Sequence, residues 1–313
     1  MAGTKDIWHI GNIPIHHRLT LAPMAGFTDS PFRKLCHHCG VGYTTTELIS
    51  CKGLVYNNQQ TKKMLFVDED EGIVALQLFG SNPDDFAYCI NSEWTSRFDI
   101  IDINMGCPAK KITRNKEGSA LMLDLSQAAK IIETCAKNTQ KPVTVKFRLG
   151  YHQDDFVAIQ FAQMCKDSGA SAVTIHGRYA MQLYRGQADW EKIGQVAAKV
   201  NLPIIGNGDI VDPNIAKEYI AKYSVVAIAI GRGALGNPQI FAKDYHPNTP
   251  KKQYAICQLD AMCNLYGDRA AIIFRSHIGY YLKGIQDSKY YKDKIIKAAS
   301  IQQIKDILSK IDF

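Results

Sequence analysis

The sequence predicts a (β/α)8 barrel followed by a small all-helical C-terminal domain, and three observations predict it. Short β-branched runs alternate with longer amphipathic stretches from Leu19 to Ile230, and strands that alternate with helices call for a parallel sheet. Eight such units in about 210 residues fit one closed barrel better than an open sheet. Beyond Ile240 the strand pattern stops and only helical periodicity remains. The bulk composition agrees: 313 residues, 46% hydrophobic and 21% charged, are those of a globular protein. Disordered, collagen-like and membrane-embedded chains are excluded.

In order, the expected strands cover residues 19–23, 43–47, 73–79, 98–104, 143–147, 172–176, 203–207 and 225–230. Each is a nearly continuous apolar run, as expected when both faces of a strand are buried. The first helix is opened by Asp29-Ser30-Pro31, and further helices are expected over 83–96, 126–138, 154–168 and 213–222. His246-Pro247-Asn248-Thr249-Pro250 then reads as a linker, because two close prolines stop both helix and strand. Past it, helices are expected over 253–266, 269–283 and 301–310. The domain division is therefore 1–245 for the barrel and 246–313 for the helical domain.

Charge divides the same way. The chain carries +7 overall, and residues 246–313 hold eleven basic against six acidic side chains, leaving only +2 for the first 245. A basic module behind a nearly neutral body suits a polyanionic partner. No uncharged apolar run reaches the roughly 18 residues of a membrane span, and the N-terminus lacks the basic-then-apolar design of a secretion signal. Nine cysteines without framework spacing point to reduced thiols and a cytoplasmic location. Cys36-His37-His38-Cys39 is a lone C-x-x-C with no second pair, so no metal site is expected. Nothing points to a membrane or to a protein partner.

In a barrel of this kind the loops at the C-terminal ends of the strands build the site. Those ends read Ala22-Pro23-Met24-Ala25-Gly26, Gln77-Leu78-Phe79-Gly80, Asn104-Met105-Gly106-Cys107-Pro108, Lys146-Phe147-Arg148, His176-Gly177-Arg178, Asn207-Gly208-Asp209 and Gly231-Arg232-Gly233. The last two offer unhindered backbone N–H groups and a guanidinium where barrels often hold phosphate. Lys146 ends an otherwise apolar strand, so its ammonium projects into the mouth and needs an electron-rich partner. Gln77 and His176 can hydrogen-bond a planar heterocycle there, an arrangement that resembles a flavin site; a Schiff-base lysine is the competing use. Cys107, between Gly106 and Pro108, is placed to act as nucleophile or general acid, whereas Cys89, Cys135 and Cys165 read as small core residues.

These residues together resemble the tRNA-dihydrouridine synthases. The resemblance rests on Pro23-Met24-Ala25-Gly26-Phe27-Thr28-Asp29, Asp102-Ile103-Asn104-Met105-Gly106-Cys107-Pro108, Val145-Lys146-Phe147-Arg148, His176-Gly177-Arg178 with Gln182, Tyr184, Gly186 and Ala188-Asp189-Trp190, and the two glycine loops. Gly106-Cys107-Pro108-Ala109-Lys110-Lys111, Gly118-Ser119-Ala120-Leu121 and Tyr280-Tyr281-Leu282-Lys283-Gly284 look most like the bacterial B-type branch. The resemblance implies an FMN-binding barrel with a helical tRNA-binding domain, reducing the C5–C6 double bond of D-loop uridines with NADPH as hydride donor. It implies Cys107 as the proton donor to C5. Pro23, Met24, Ala25, Gln77, Lys146 and His176 would contact the flavin, and Asn207, Gly208, Asp209, Gly231 and Arg232 its ribityl chain and phosphate. Asn104 and Arg178 would face the uracil, and Arg269, Arg275 and Lys283 the tRNA. One departure stands out: the arginine motif often continues Thr-Arg, but here Tyr179-Ala180 follow Arg178.

Two other readings stay open from the residues. An FMN barrel acting on a free pyrimidine, dihydroorotate dehydrogenase-like, shares the Asn…Cys-Pro element. A non-catalytic RNA-binding barrel would leave Cys107, Lys146, His176 and Arg232 unexplained.

Overall fold

In the computed structural model, which describes residues 7–313, eight parallel strands follow one another around a closed ring. They are β1 (Leu19–Leu21), β2 (Thr44–Thr45), β3 (Val74–Phe79), β4 (Ile100–Met105), β5 (Val143–Arg148), β6 (Ala172–His176), β7 (Ile204–Asn207) and β8 (Ala227–Ile230). Closure comes from Ile228 pairing with Leu19 and from Thr44 pairing with Val74. Between the strands run α1 (Ser30–His38), α2 (Pro83–Ile90), α3 (Leu125–Lys137), α4 (Ala158–Asp167), α5 (Trp190–Lys199) and α6 (Pro213–Tyr223). Asp29, Asn82, Asp124, Asp189 and Asp212 cap five of these helices by accepting first-turn N–H groups. Pro31, Pro83 and Pro213 lie in the first turn, where a missing N–H costs nothing.

Outward strand residues such as Leu76, Ile101, Val145, Val173 and Ile228 pack on Ile131, Ile132, Phe161, Ile193 and Val196 of the helices. The floor of the barrel is filled differently. An antiparallel hairpin, Trp8–Ile10 with Ile13–Ile15, brings Trp8, Ile10 and Ile15 against Tyr43, Ala75, Ile100, Ala172, Ile205 and Ala227. Above that floor the strands are not apolar on both faces as their composition predicted. Thr20, Gln77, Asp102, Asn104, Thr144, Thr174 and His176 are buried there, so the upper interior is polar and must be internally hydrogen-bonded.

Two predicted helices are shorter than expected. The helix over 83–96 stops at Ile90, and Glu93–Arg97 continues as a 3-10 turn. Ser92 and Thr95 hydroxyls donate back to the carbonyls of Tyr88 and Ile90, a local alternative to helix continuation. The helix expected from residue 154 begins at Ala158, because Asp155 and Val157 bond within a turn.

After β8 the chain forms two 3-10 turns, Arg232–Ala234 and Pro238–Phe241, and then four tail helices: α7 (Lys252–Tyr266), α8 (Ala270–Tyr281), α9 (Ser288–Lys297) and α10 (Ile301–Ser309). Leu259, Met262, Phe274, Ile278, Tyr281, Ile295, Ile304 and Leu308 form their core. The tail rests on the barrel through α7 against α1, through Tyr266 donating to Asp29 Oδ2 at 3.1 Å, and through Phe27 edge-on to His277. Helix α9 was not among the expected tail helices, and Ile295 is its one buried residue. Among the described residues, no helix is long and apolar enough to cross a membrane.

Candidate active site

The polar layer above the floor is wired from strand to strand. Register sets Gln77 of β3 beside Asp102 of β4, and Asp102 beside Thr144 of β5. Gln77 Nε2 donates to Asp102 Oδ2 at 2.6 Å, and Thr144 Oγ1 donates to Asp102 Oδ1 at 2.5 Å. Two residues along β4, on the same face, Asn104 Nδ2 donates to Gln77 Oε1 at 3.0 Å. Asn104 Oδ1 accepts the N–H of Cys107 at 3.0 Å and of Gly106 at 3.3 Å. The loop is held from outside as well: Arg148 Nε donates to the Gly106 carbonyl at 2.8 Å, and the Cys107 carbonyl accepts from Ser119 N–H at 3.0 Å. Cys107 is left half-buried at the mouth, on a backbone fixed at both neighbouring peptides.

Positive charge converges beside it. Lys146 Nζ donates to Asn207 Oδ1 at 3.1 Å, and Asn207 Nδ2 to the Ala229 carbonyl at 2.7 Å. Burial, and then the Arg148 guanidinium, pull Lys146 down to about 8, with Asp102 and Cys107 opposing. Burial, followed by Arg148, Lys146, Arg178 and Arg232, holds His176 well below its ordinary value. Its imidazole is neutral at pH 7, ringed by cations. Such a concentration of positive charge stabilises an anion or a negatively polarised ring edge.

The two glycine loops form one rim. Asp209 Oδ2 accepts from Arg178 Nη2 at 2.6 Å and from Ala188 N–H at 2.8 Å, while Oδ1 accepts from Arg178 Nη1 at 2.9 Å and Arg232 Nη2 at 3.1 Å. Burial opposes ionisation, but these donors keep the Asp209 carboxyl below its usual range. Gly208 has φ +138°, and a Cβ there would come within 2.5 Å of Ala188 Cβ. The backbone N–H groups of Gly208, Asp209, Gly231 and Arg232 donate to no group among the described residues, which leaves an array of donors for an anion. Behind the rim Trp190 lies against the strand: its Nε1 donates to the Gly208 carbonyl at 3.1 Å, and a Cβ on Gly206 would sit 2.3 Å from its ring. The exposed ring of Tyr184 is approached by two guanidinium groups, that of Arg148 at 5.6 Å and that of Arg232 at 5.2 Å from its centre.

The structure brings Gln77, Asn104, Cys107, Lys146, His176, Asn207, Gly208, Asp209, Gly231 and Arg232 to one end of the barrel. Pro23, Met24 and Ala25 join them in a turn closed by Thr28, whose Oγ1 accepts from Met24 N–H. Arg178 takes a different position from the one expected, facing a base. It is 2% exposed, and its guanidinium is engaged by Asp209 and by the carbonyls of Arg185 and Gly186, so it braces the rim from behind. Tyr179 and Ala180, the departure from the usual Thr-Arg, are buried, and Tyr179 Oη accepts from Lys192 Nζ at 2.9 Å. In the tail Arg269 and Lys283 are exposed, whereas Arg275 is half-buried and donates to the Ala298 carbonyl at 3.4 Å. Asp102, Thr144, Arg148 and Tyr184 were assigned no role from sequence. Period-2 spacing from Asn104 and Lys146 was the available signal for the first three.

The family model described as dihydrouridine synthase matches residues 20–312 of this chain. A protein named tRNA-dihydrouridine synthase B from Pasteurella multocida is 37% identical over 297 residues, covering 90% of this chain and 89% of its own. A probable tRNA-dihydrouridine synthase from Rickettsia bellii is 36% identical over 299 residues, covering 91% and 92%. Among solved structures, histamine dehydrogenase from Rhizobium sp. 4-9 superposes with a TM-score of 0.60 at 11% identity over 87% of this chain. A 2-naphthoyl-CoA reductase superposes at 0.57 and 11% identity over 75%. The chain spans about half the length of those two structures, 50% and 51%, and they share its barrel fold.

Proposed function

The chain belongs to the dihydrouridine synthase family, and on that premise we propose that this mouth reduces the C5–C6 double bond of D-loop uridines in tRNA, with FMN as resident cofactor and NADPH as hydride donor. The observation that carries the reading is Cys107: a half-buried thiol at the barrel mouth on a loop held by Asn104, Arg148 and Ser119, with Lys146 and His176 on the neighbouring strands. The residues present fit the flavin. The free N–H groups of Gly208, Asp209, Gly231 and Arg232, with the Arg232 guanidinium, suit its phosphate. Asn207 would hold the ribityl chain, and Lys146, His176 and the Pro23-Met24-Ala25 turn would meet the ring. Gln77, 0% exposed and bonded to Asp102 and Asn104, stands behind them and not in contact as the resemblance implied. When bound, the flavin would supply the hydride chemistry of the reduction. Cys107 gives the proton to C5, Lys146 holds positive charge at the ring edge, and Asn104 and Arg178 keep the loops that meet the uracil in place.

The polyanionic substrate is met by exposed cations on two segments. Lys289, Lys292, Lys294 and Lys297 of α9 are exposed, as are Lys110, Lys111, Arg114 and Lys116 on the loop that follows Cys107. None forms an ion pair among the described residues. Extruding a base from the folded tRNA costs a few kcal/mol, which phosphate contacts of this kind offset. The reaction belongs where tRNA is processed, in the cytoplasm.

The direct test supplies unmodified tRNA with NADPH, and separately with NADH, and maps dihydrouridine by mass. A D-loop product formed faster with NADPH is expected; reduction of free orotate or uracil instead would overturn the reading. Arg232→Ala should weaken FMN binding by about 1.5 kcal/mol, the low end for a charge-assisted bond because the group is half exposed; an unchanged Kd would remove Arg232 from the phosphate site. Lys146 gives a pH signature. Arg148, Asp102, Cys107, His176 and Asn207 surround it, and it titrates at about 8 in the free protein. FMN that requires the cation binds more weakly as pH rises through that value, by about tenfold between pH 7 and pH 9. The titration, run in a Cys107→Ala background, should be flat in Lys146→Met.

A further inference from the structure

We infer that Asp102 is a positioning residue for this reaction: its carboxylate anchors the side-chain amides of Gln77 and Asn104 in one orientation, and through Asn104 the peptide that carries Cys107. The inference rests on the proposed role of Cys107 and extends it to a group that touches neither thiol nor ligand.

The chain of hydrogen bonds has a fixed polarity at each end. A carboxylate only accepts and a backbone N–H only donates, whereas a side-chain amide does either according to how it is turned. Asp102 is 5% exposed with both oxygens engaged, by Gln77 Nε2 at 2.6 Å and Thr144 Oγ1 at 2.5 Å. That turns Gln77 Oε1 toward Asn104 Nδ2, and Asn104 Oδ1 toward the N–H groups of Gly106 and Cys107. Every joint is a donor facing an acceptor, and turning either amide over would set like against like at two joints. Without an acceptor at position 102, Gln77 Nε2 becomes a buried unsatisfied donor, which costs enough to make its amide rotate and withdraw from Asn104.

Ion pairing does not account for the carboxylate. The nearest ammonium, Lys146, donates to Asn207 and not to Asp102. Burial pushes the Asp102 carboxyl up to about 6, against the Thr144 and Gln77 bonds and the Lys146 charge. A carboxylate held at that cost does what an apolar residue of the same size does not: it sets the direction of the relay.

The test compares Asp102→Leu, which removes the acceptor, with Asp102→Asn, which keeps one for Gln77 Nε2 and can donate to Thr144 Oγ1. Two readouts are taken on the full-length protein. One is kcat and KM for tRNA reduction. The other is the rate at which iodoacetamide alkylates Cys107, measured as purified and again without cofactor or tRNA. Asp102→Leu should lower kcat at least tenfold with KM within twofold, and change the alkylation rate at least threefold. Asp102→Asn should return both to within threefold of wild type. Equal impairment of the two variants, or an Asp102→Leu protein within twofold of wild type on both readouts, would overturn the inference. Should Asp102→Leu fail to melt cooperatively, Asp102→Ala takes its place with the same thresholds. Alkylation without cofactor or tRNA judges the relay even if the wild type formed no dihydrouridine.

Discussion

Replacing Cys107 with alanine is expected to slow uridine reduction by about 10²–10⁴-fold, the range for a positioned general acid, while flavin reduction by NADPH continues at the wild-type rate. The separation follows from the site. The phosphate rim is built from residues 207–209 and 231–232, and the cation assigned to the ring is Lys146 of β5, so removing the thiol touches neither. The loop itself is held by the backbone of residues 106 and 107 and by Asn104, Arg148 and Ser119, so alanine keeps its path. Stopped-flow reduction of the flavin by NADPH, followed by mass analysis of tRNA after a single turnover, reads the two halves separately. A Cys107→Ala protein that reduced tRNA at the wild-type rate would show that the proton comes from elsewhere.

The second large effect lies in the tail. Changing Lys289, Lys292, Lys294 and Lys297 together to alanine should lower tRNA affinity more than tenfold at low salt. It should also flatten the dependence of log affinity on log salt by about 0.7–0.9 for each phosphate that is no longer neutralised. These side chains are exposed and carry no ion pair among the described residues, so the substitutions remove charge and leave the tail core of Phe274, Ile278, Tyr281 and Ile304 intact. Charge reversal at Arg269 and Lys283 is the companion test. Arg275 is not suitable, because its guanidinium ties α8 to the carbonyl of Ala298. Truncation at the linker is no better, since it would strip α7 from α1 and expose Phe27 and Phe32 beside His277. Binding measured across a salt series checks the prediction. A four-lysine variant that bound tRNA like wild type at every salt concentration would reduce α9 to structural packing.

By itself the sequence determined the order of strands and helices, because hydrophobic periodicity and caps act over a few residues and need no partner far along the chain. It also determined which end of the barrel carries chemistry. Polar and glycine residues stand at the ends of successive strands, and in a parallel barrel those ends face one way. Cys107, Lys146, His176 and Arg232 were assigned to that end on this ground. What only the tertiary structure decided is which of the polar groups are open to a ligand and which are held by one another. Arg178 and Asp209 are 31 residues apart and meet through neighbouring strands; their pairing withdraws a guanidinium that the motif alone places toward the substrate. Arg148 and Gly106 meet across β4 and β5, and Asp102 joins Gln77 to Thr144 across three strands. The N-terminal hairpin that fills the floor and the lysine-rich helix α9 likewise depend on surfaces supplied by distant segments. Those pairings arise from strand register and ring closure, which no local pattern encodes, and burial makes them binding: a polar group removed from water takes the partner the fold puts within reach.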